Sequence, residues 1–417
     1  MVAIHPFSGL RYNLQKIPDL SSVIAPPYDV IDAEQQEQLY QRSPNNVIRL
    51  ILGKQNPADT DQDNRYTRTR RDYDSWRQAE VLKADSDPAI YVIRHSFLSN
   101  GKKAVRIGFI AALSLDDSTR QQVFRHELTL SAPKADRTKL MEAVPANLEP
   151  IFCVYPDDKG LIQSHLEQLT HNTPPTAQAT INEEQVDMWV VTQPALVGPI
   201  VHHLAGVSVL IADGHHRFEV GFANRARYNT LMTYFASIKD PALVIHPIHR
   251  IVTLPASAGF GALEQVCEID ASRQESEAFS WLKSQEKPGR FVLFDGKRWV
   301  CVSLRSEAMA RWLMAPAVPL VLASFDVSIL HGLLLPLLGI QAQSGQAGAD
   351  GTGIQYAADP AKAVSLVKAA PNRSGWFLRG IPLEQVYAVS AQGVTLSQKS
   401  TYFYPKVPSG LVINSFV

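Results

Sequence analysis

The sequence predicts a mixed α/β fold. Along its 417 residues, apolar stretches of strand length alternate with stretches of helical periodicity. Two strand patterns, residues 89–97 and 103–115, flank Asn100-Gly101, a dipeptide typical of tight hairpins, so antiparallel pairing is expected as well. A third observation is the stretch 209–220, where four apolar residues end at Asp213-Gly214 and a helical pattern follows.

We divide the chain into three regions, residues 1–180, 181–260 and 261–417. In the first, we expect helices at 32–42 and 66–82, strands at 47–52, 89–97, 103–115 and 150–155, and a helix at 160–169. In the second, a strand from Met188 precedes a helix near 194–204, a strand at 209–212, a helix at 213–228, and strands at 231–238 and 243–254. The third alternates helices and strands up to Ala342, and the Gly/Ala/Ser-rich stretch 343–352 is predicted to be a mobile loop.

Composition narrows the functional classes. Lys plus Arg and Asp plus Glu both number 40, so the formal net charge is +0. This balance argues against direct nucleic-acid binding and against attachment to an anionic membrane, both of which need a basic surface. The longest apolar run is too short to span a bilayer, and the first residues lack the features of a signal peptide. The three cysteines show no metal-binding spacing, so we expect free thiols in a reducing compartment and a cytoplasmic protein.

The turn Asp213–Arg217 is the strongest candidate site. Gly214 allows a sharp turn and a close approach of the backbone to a ligand. A strand that passes through such a turn into a helix presents N–H groups and a positive dipole end, which suit phosphate. His215, His216 and Arg217 add donors at the same place. The alternative interpretation is an ordinary strand-to-helix turn whose polar residues only cap the helix.

A second polar cluster spans residues 125–137. Lys134 and Arg137 would bind phosphoryl oxygens, and Glu127 would act as a general base or a metal ligand. The alternative is a solvated loop that caps a helix starting near Ala135. The residue types do not separate these two interpretations.

Three further segments are weaker candidates. In His246-Pro-Ile-His249-Arg250, a metal-binding histidine pair is conceivable, but a phosphate-binding Arg250 is favoured. The segment 399–406 is either an aromatic strand with flanking lysines or a source of phosphate donors. Asp326 is interpreted as the N-cap of an apolar helix. Walker A, GxGxxG, HExxH and GxSxG patterns do not occur, so the commonest nucleotide-binding and hydrolase motifs are absent.

In their order along the chain, these elements resemble the prokaryotic family known as domain of unknown function 1015, often described as serine-kinase-like or ParB-like. The elements that carry the resemblance are Ala25-Pro-Pro-Tyr-Asp-Val-Ile31, Glu127-x-Thr129 with Pro133-Lys-Ala-Asp-Arg137, Pro150-Ile-Phe152, Ala212-Asp-Gly-His-His-Arg217, Pro247-Ile-His-Arg250 and Lys399-Ser-Thr-Tyr-Phe-Tyr-Pro-Lys406. The resemblance implies a ParB/sulfiredoxin-like nucleotide-binding core with additional mixed-sheet segments.

The resemblance also implies roles for these residues. Gly214, His215, His216 and Arg217 would contact nucleotide phosphates, with Lys134, Arg137 and Arg250 as further phosphate ligands. Glu127, Asp213 and His216 would take catalytic roles, with Glu127 as the base, and Asp213 would orient the turn or hold Mg²⁺. The leading hypothesis is a small-molecule phosphotransferase, with free L-serine as a candidate acceptor and ATP, ADP or pyrophosphate as donor. The alternatives are a non-catalytic nucleotide-binding switch and a phosphohydrolase.

Overall fold

The structure is a computed structural model. It describes residues 2–99, 101–129, 131–171, 173–255, 260–285, 287–314, 319–340, 353–397 and 399–417. The described residues form two compact units. The first unit comprises 2–125, 129–244 and 405–417, and the second comprises 126–128 and 245–404. The loop predicted at 343–352 lies outside the described residues.

The mixed α/β prediction is confirmed. The first unit contains a nine-stranded mixed sheet in which Ile4–His5 pairs with one edge of Lys102–Ser114. The order of the other strands is Val123–Phe124, Val209–Asp213, Ile151–Tyr155, Thr230–Ser237, Lys102–Ser114, Ile90–Ser99, Glu184–Val191 and Ala177–Ile181. Two small sheets accompany it, Leu10–Tyr12 with Leu82–Ala84, and Ala146–Asn147 with Asn414–Ser415.

Helices connect these strands. The α-helices of the first unit are Ala33–Arg42, Ile48–Ile51, Arg65–Gln78, Asp117–Gln122, Ser131–Ala143, Leu161–His171, Pro194–Ala205 and His215–Ala223, with 3₁₀ turns at Leu20–Ser22 and Tyr28–Val30. Several begin at a side chain that satisfies the first N–H groups. Asn64 and Thr67 form a capping box, as do Asp116 and Thr119.

The predicted hairpin is confirmed. Ile90–Ser99 and Lys102–Ser114 pair antiparallel up to Ser99 opposite Lys102, and Gly101 takes a φ of 75°. Such a positive φ is what a two-residue hairpin turn requires of its glycine. Asn100 itself lies outside the described residues.

The strand predicted at 47–52 is wrong. Ile48–Ile51 is a short helix, and Ile48, Leu50 and Ile51 are all buried. This helix has only four residues, so its apolar residues do not show a period that would separate a buried helix from a buried strand.

The second unit is built on a six-stranded sheet with antiparallel pairings. Its strand order is Cys267–Asp270, Trp299–Leu304, Arg290–Phe294, Arg373–Phe377, His249–Thr253 and Gln355–Ala357. Val244–His246 pairs separately with Tyr402–Tyr404. The helices are Gly261–Glu264, Glu275–Lys283, Ser306–Leu313, Leu320–Ala323, Asp326–Ile329, Leu335–Leu337, Pro360–Lys368 and Leu383–Ala391, with a π-helical turn at Leu330–Leu334.

Each unit has its own hydrophobic core. In the first, the central strands Ile151–Tyr155 and Val209–Asp213 are buried along their whole length. Phe109 and Phe235 stack on neighbouring strands with ring centroids 5.3 Å apart. In the second, Phe377 is fully buried and packs against Trp299, with ring centroids 5.3 Å apart. Because Ile151–Tyr155 and Val209–Asp213 are buried on both faces of the sheet, their sequences are nearly continuous apolar runs.

This grouping differs from the three regions proposed from the sequence. The large sheet crosses residue 180, because Ile90–Ser99 pairs with Glu184–Val191 and Lys102–Ser114 pairs with Thr230–Ser237. The last residues, 405–417, also return to the first unit. Local composition does not indicate which strands pair over such long distances in the sequence.

None of the helices in the described part of the chain combines the length and the apolar character needed to cross a membrane.

Candidate functional site

The turn predicted at Asp213–Arg217 has the expected strand–turn–helix geometry. The strand Val209–Asp213 ends in an irregular register, in which Ile211 faces Cys153 while Asp213 faces Phe152. Gly214 follows with φ 92° and ψ 29°, and the helix His215–Ala223 begins immediately after it. A bulge next to a turn re-aims the side chain at the strand end. Here that side chain is the carboxylate of Asp213.

Glycine is required at position 214 for two reasons. Its positive φ is disfavoured for residues with a side chain. In addition, a Cβ atom there would lie 2.9 Å from Ile151 Cγ2 and 3.1 Å from Nε of Arg217. The turn is therefore packed directly against the Arg217 guanidinium, with no room for a methyl group.

Two cations hold the Asp213 carboxylate. Arg217 Nη2 donates to Oδ2 at 2.7 Å, and the Lys406 ammonium bonds Oδ1. Asp213 is 9% exposed, so these are buried ion pairs. Gly214 occupies the N-cap position, and no side chain caps the helix there. The polar side chains of this turn therefore do not cap the helix, and Asp213 and Arg217 form an ion pair instead.

The electrostatics keep Asp213 ionised. Burial by itself raises the pKa of this carboxyl, but the charges of Lys406 and Arg217 outweigh burial and lower the pKa to about 2. At neutral pH the turn therefore carries one fixed carboxylate between two fixed cations.

This arrangement predicts a pH-dependent contribution to stability. An unfolded Asp has a pKa near about 3.9. Because the folded pKa is lower, the ionised carboxylate stabilises the fold above about pH 4, and that stabilisation is lost as the pH falls toward 2. The difference in unfolding free energy between wild type and Asp213→Asn should therefore be largest near pH 6 and shrink steadily below pH 4 in urea titrations. Asp61→Asn, at an exposed position, is the control. A wild-type advantage that is constant from pH 6 to 3 would contradict this account.

A second layer of charge surrounds Arg217. Its Nη1 donates to the carbonyl of Pro150 at 2.5 Å. Arg137 Nη1 lies 3.7 Å from the buried Glu149 carboxylate, which also accepts from Tyr28 N at 3.1 Å and Ser409 Oγ at 2.9 Å. Burial raises the pKa of Glu149, although Arg217 and Arg137 act in the opposite direction. The first unit thus gathers Arg137 and Arg217 around one buried carboxyl.

Tyr28 covers both guanidinium groups. The Arg137 guanidinium carbon lies 3.9 Å from the centre of the Tyr28 ring, and that of Arg217 lies 6.0 Å from it. These distances are typical of cation–π contacts. The segment Ala25–Ile31 therefore contributes an aromatic contact to the same cluster.

The cluster predicted at 125–137 is divided by the structure. Residues 131–143 form the helix Ser131–Ala143, so a helix is present as the alternative interpretation expected, but it begins at Ser131 and not near Ala135. Pro133 is tolerated in the first turn of a helix, where its missing N–H has no intrahelical acceptor. Arg137 on this helix reaches the Glu149 carboxylate, while Lys134 is half-buried one turn earlier.

The Asp136 carboxylate, on the same helix, accepts hydrogen bonds from three side chains. It accepts from Tyr66 Oη at 2.7 Å and Arg137 Nε at 2.8 Å, and it bonds Arg65. Burial raises the pKa of Asp136, but Arg137 and the hydrogen bond from Tyr66 outweigh burial, so the pKa is lowered. These donors surround the Asp136 carboxylate, which in turn fixes the orientation of the Arg137 guanidinium.

The remaining predicted residues are placed as follows. His215 is buried and His216 half-buried in the first turn of the helix His215–Ala223. Glu127 and Arg250 belong to the second unit, where the Glu127 carboxylate accepts from the Ser400 N–H at 3.3 Å. The catalytic and phosphate-binding roles of these residues stay predictions.

Two residues of the cluster were not found from the sequence. Glu149 directly precedes the family element Pro150–Phe152, and Lys406 is the last residue of the family element 399–406. The sequence predicted no ion-pair partner for either residue. Lys406 meets Asp213 across 193 residues of sequence. The signal available was only their position within elements that carry the family resemblance.

The conceivable histidine metal pair is not supported by the surroundings of His249. Burial and the Arg250 charge lower its pKa to about 4, and its ring packs 4.8 Å from Phe377. Its Nδ1 accepts from Leu378 N at 3.4 Å. His249 is therefore a buried core residue whose Nδ1 already accepts a hydrogen bond from the backbone.

A comparison with models of known protein families assigns the chain to one of them. The family model described as "Protein of unknown function (DUF1015)" matches residues 4–328. The chain belongs to this family. The resemblance inferred from the sequence is therefore confirmed. A search of curated proteins found no match.

Solved structures of similar proteins include three of interest. SbnI with C-terminal truncation from Staphylococcus aureus has a TM-score of 0.39 at 11% identity, over 73% of this chain and 86% of that chain. A conserved hypothetical protein from Pyrococcus furiosus has a TM-score of 0.33 at 11% identity, over 70% and 92%. A free serine kinase in complex with AMP has a TM-score of 0.33 at 11% identity, over 68% and 83%.

Proposed function

We propose that this chain is a small-molecule phosphotransferase whose Asp213–Arg217 turn binds the phosphate groups of a nucleotide, with free L-serine as the acceptor. The observation that carries the proposal is the left-handed Gly214 between a buried strand and a helix N-terminus, at φ 92°. The proposal rests on this geometry and on the charges around it.

The backbone at this turn suits a phosphate. The first N–H groups of a helix have no intrahelical acceptor and lie at the positive end of the helix dipole. A left-handed residue just before the helix turns successive N–H groups toward one point, where phosphate oxygens can accept from them. His215 and His216 stand in the same first turn and can donate to the same oxygens.

The charged side chains position this backbone. Arg217 is fixed by Asp213 and by the Pro150 carbonyl, and Lys406 by Asp213. The two cations share one carboxylate, so these three side chains keep one positive charge before a ligand binds. Phosphoryl transfer is mainly a matter of positioning and charge stabilisation, and these fixed side chains behind the turn supply the positioning.

Asp213 does not suit a resident Mg²⁺, contrary to the expectation from the family resemblance. Both of its oxygens already bond a cation, and a third positive charge at the same carboxylate would be repelled. Magnesium in such reactions commonly binds through the substrate phosphates and keeps several waters. We therefore expect any Mg²⁺ to enter with the nucleotide.

A direct assay tests the proposed reaction. Purified full-length chain is incubated with Mg²⁺, L-serine and either ATP, ADP or pyrophosphate, and phosphoserine is measured by mass spectrometry. We expect phosphoserine with at least one donor. No phosphoserine from any donor would contradict serine phosphorylation. In that case, donor breakdown without serine transfer would indicate a phosphohydrolase, and nucleotide binding without turnover would indicate a non-catalytic switch.

Variants assign the chemistry within this assay. His216→Ala should lower the rate of phosphoserine formation, because His216 lies in the first turn after Gly214. His203→Ala is the matched control, since His203 is exposed on the helix Pro194–Ala205. Glu127→Gln tests the predicted general base in the same experiment. Equal rates for His216→Ala and His203→Ala would remove His216 from the mechanism.

A further inference from the structure

The second unit contains a cavity of about 450 Å³ that the proposed function does not use. This volume falls in the range of small-molecule sites. Its polar lining includes Arg250, Lys283, Asp326, Arg379 and Ser400. Apolar side chains complete it, among them those of Ile248, Phe325, Val327, Leu378 and Ile381. A ligand here would have both an apolar body and a charged group.

Arg250 is the buried cation of this cavity. The residue is only 1% exposed. Its Nε donates to His331 Nε2 at 3.1 Å, and its Nη1 donates to the carbonyl of Ile248. Within the described part of the chain, Nη2 has no hydrogen-bond partner. Burial lowers the pKa of Arg250 to about 10, so the guanidinium is still protonated at neutral pH.

Both side-chain and backbone acceptors of Arg250 are neutral. Burial and the charge of Arg250 lower the pKa of His331 to about 3, so its imidazole carries no charge at neutral pH. The Ile248 acceptor is a backbone carbonyl. Glu127 and Tyr356 act on Arg250 electrostatically and raise its pKa, but burial outweighs them. The guanidinium therefore keeps a donor for which the described protein supplies no anionic acceptor.

Arg379, which also lines the cavity, differs from Arg250 because it is paired with a carboxylate. Its Nε and Nη2 donate to one oxygen of Asp326 at 3.0 and 2.8 Å, and Nη2 also bonds the Lys287 carbonyl at 2.7 Å. Asp326 also accepts from Gly289 N at 2.7 Å, and the N-cap position before its helix is Phe325, so the predicted N-cap role of Asp326 is wrong. One arginine of the cavity is thus paired with a carboxylate, whereas Arg250 is not.

A buried guanidinium without a carboxylate partner is costly unless something else compensates it. Arginine binds carboxylates and phosphates through parallel N–H donors, so the missing acceptor has the chemistry of an oxyanion. We propose that this cavity binds a small organic oxyanion, a carboxylate or a phosphate monoester, whose charged end contacts Arg250. Lys283, an exposed residue of the cavity lining, adds a further positive charge. Binding of this oxyanion does not depend on the proposed role of the Asp213–Arg217 turn.

Titration calorimetry on the full chain tests the proposal with two probes. Butyrate represents an apolar carboxylate, and phenyl phosphate represents a phosphate monoester. We expect at least one to bind with a dissociation constant in the millimolar range or tighter. Butyrate alone would indicate a carboxylate ligand, phenyl phosphate alone a phosphate ligand, and both a general oxyanion site.

Variants locate the binding. Arg250→Met should weaken the bound probe at least tenfold, and Arg250→Lys should restore only part of the affinity, because lysine lacks the planar fork. Lys283→Met, at an exposed position that does not threaten folding, should weaken it about threefold, and Lys297→Met, also exposed in this unit, should not. Gly214→Ala should leave this binding unchanged even where it abolishes nucleotide binding. Neither probe binding to wild type, or binding that Arg250→Met and Lys283→Met leave unchanged, would overturn the proposal.

Discussion

Replacing Lys406 with methionine should lower the free energy of unfolding by about 3 kcal/mol or more. Lys406 and Asp213 are 13% and 11% exposed at their side chains, so the pair is buried. Removing one partner of a buried ion pair leaves an uncompensated charge, which costs about 3–5 kcal/mol. Arg217 still contacts the other oxygen of Asp213, which places the expected loss at the lower end of that range. Urea unfolding followed by circular dichroism measures it.

The matched control for this variant is Lys54→Met. Lys54 also bonds a carboxylate, that of Glu37, but the two side chains are 35% and 51% exposed. Surface ion pairs contribute little, since both charges stay solvated. We expect Lys54→Met to lose only a small fraction of what Lys406→Met loses. Similar losses in both variants would show that Asp213 does not depend on Lys406.

Gly214→Ala should remove nucleotide binding and destabilise the first unit. An alanine must take a positive φ there, and its Cβ would meet Ile151 at 2.9 Å and Arg217 at 3.1 Å. Strained backbone and overpacking each cost about 1–3 kcal/mol. To accommodate the methyl group, Ile151, Arg217 or the backbone at 214 must shift, and a backbone shift would displace the N–H groups proposed to bind phosphate. We expect at least a tenfold loss of ADP affinity, measured by calorimetry below the unfolding temperature of the variant.

Gly393→Ala separates the two causes. Gly393 has a φ of 73°, and a Cβ there meets nothing within 4 Å. This variant has the cost of a positive φ without crowding, in the second unit. We expect it to lose less stability than Gly214→Ala and to bind ADP as wild type does. Equal stability losses and equal ADP affinities in the two variants would argue against a special role for the 214 turn.

The sequence predicted the features that are local. The hairpin at Asn100-Gly101 follows from a dipeptide whose conformational preference is strong. The strand–turn–helix at 209–217 follows from an apolar run, a glycine and a helical pattern in direct succession. In both places the structure shows the expected elements.

Features that depend on distant contacts were not predictable in this way. The helix Ile48–Ile51 has four residues, too few to show a helical period in the sequence, and three of them are buried by the surrounding chain. Glu149 and Lys406 acquire their roles only when segments far apart in the chain pack around Arg217 and Asp213. A composition of equal acidic and basic residues gives no hint of which pairs form.

Position alone also misjudged Asp326. A single acid before an apolar helix is typical of an N-cap. In the structure its carboxylate instead accepts from Arg379 and from the Gly289 N–H, both distant in sequence. Local pattern and tertiary contact compete for such a residue, and the tertiary contact prevails here.

The central claim is that the Asp213–Arg217 turn binds phosphate. A crystal structure of the full chain with ADP and Mg²⁺ tests it most directly. We expect a phosphate oxygen within hydrogen-bond distance of a backbone N–H in residues 215–217, with the Asp213 ion pairs to Arg217 and Lys406 intact. ADP bound with its phosphates elsewhere, including at Arg250 in the second unit, would contradict it, as would crystals that take up no ADP at millimolar concentration.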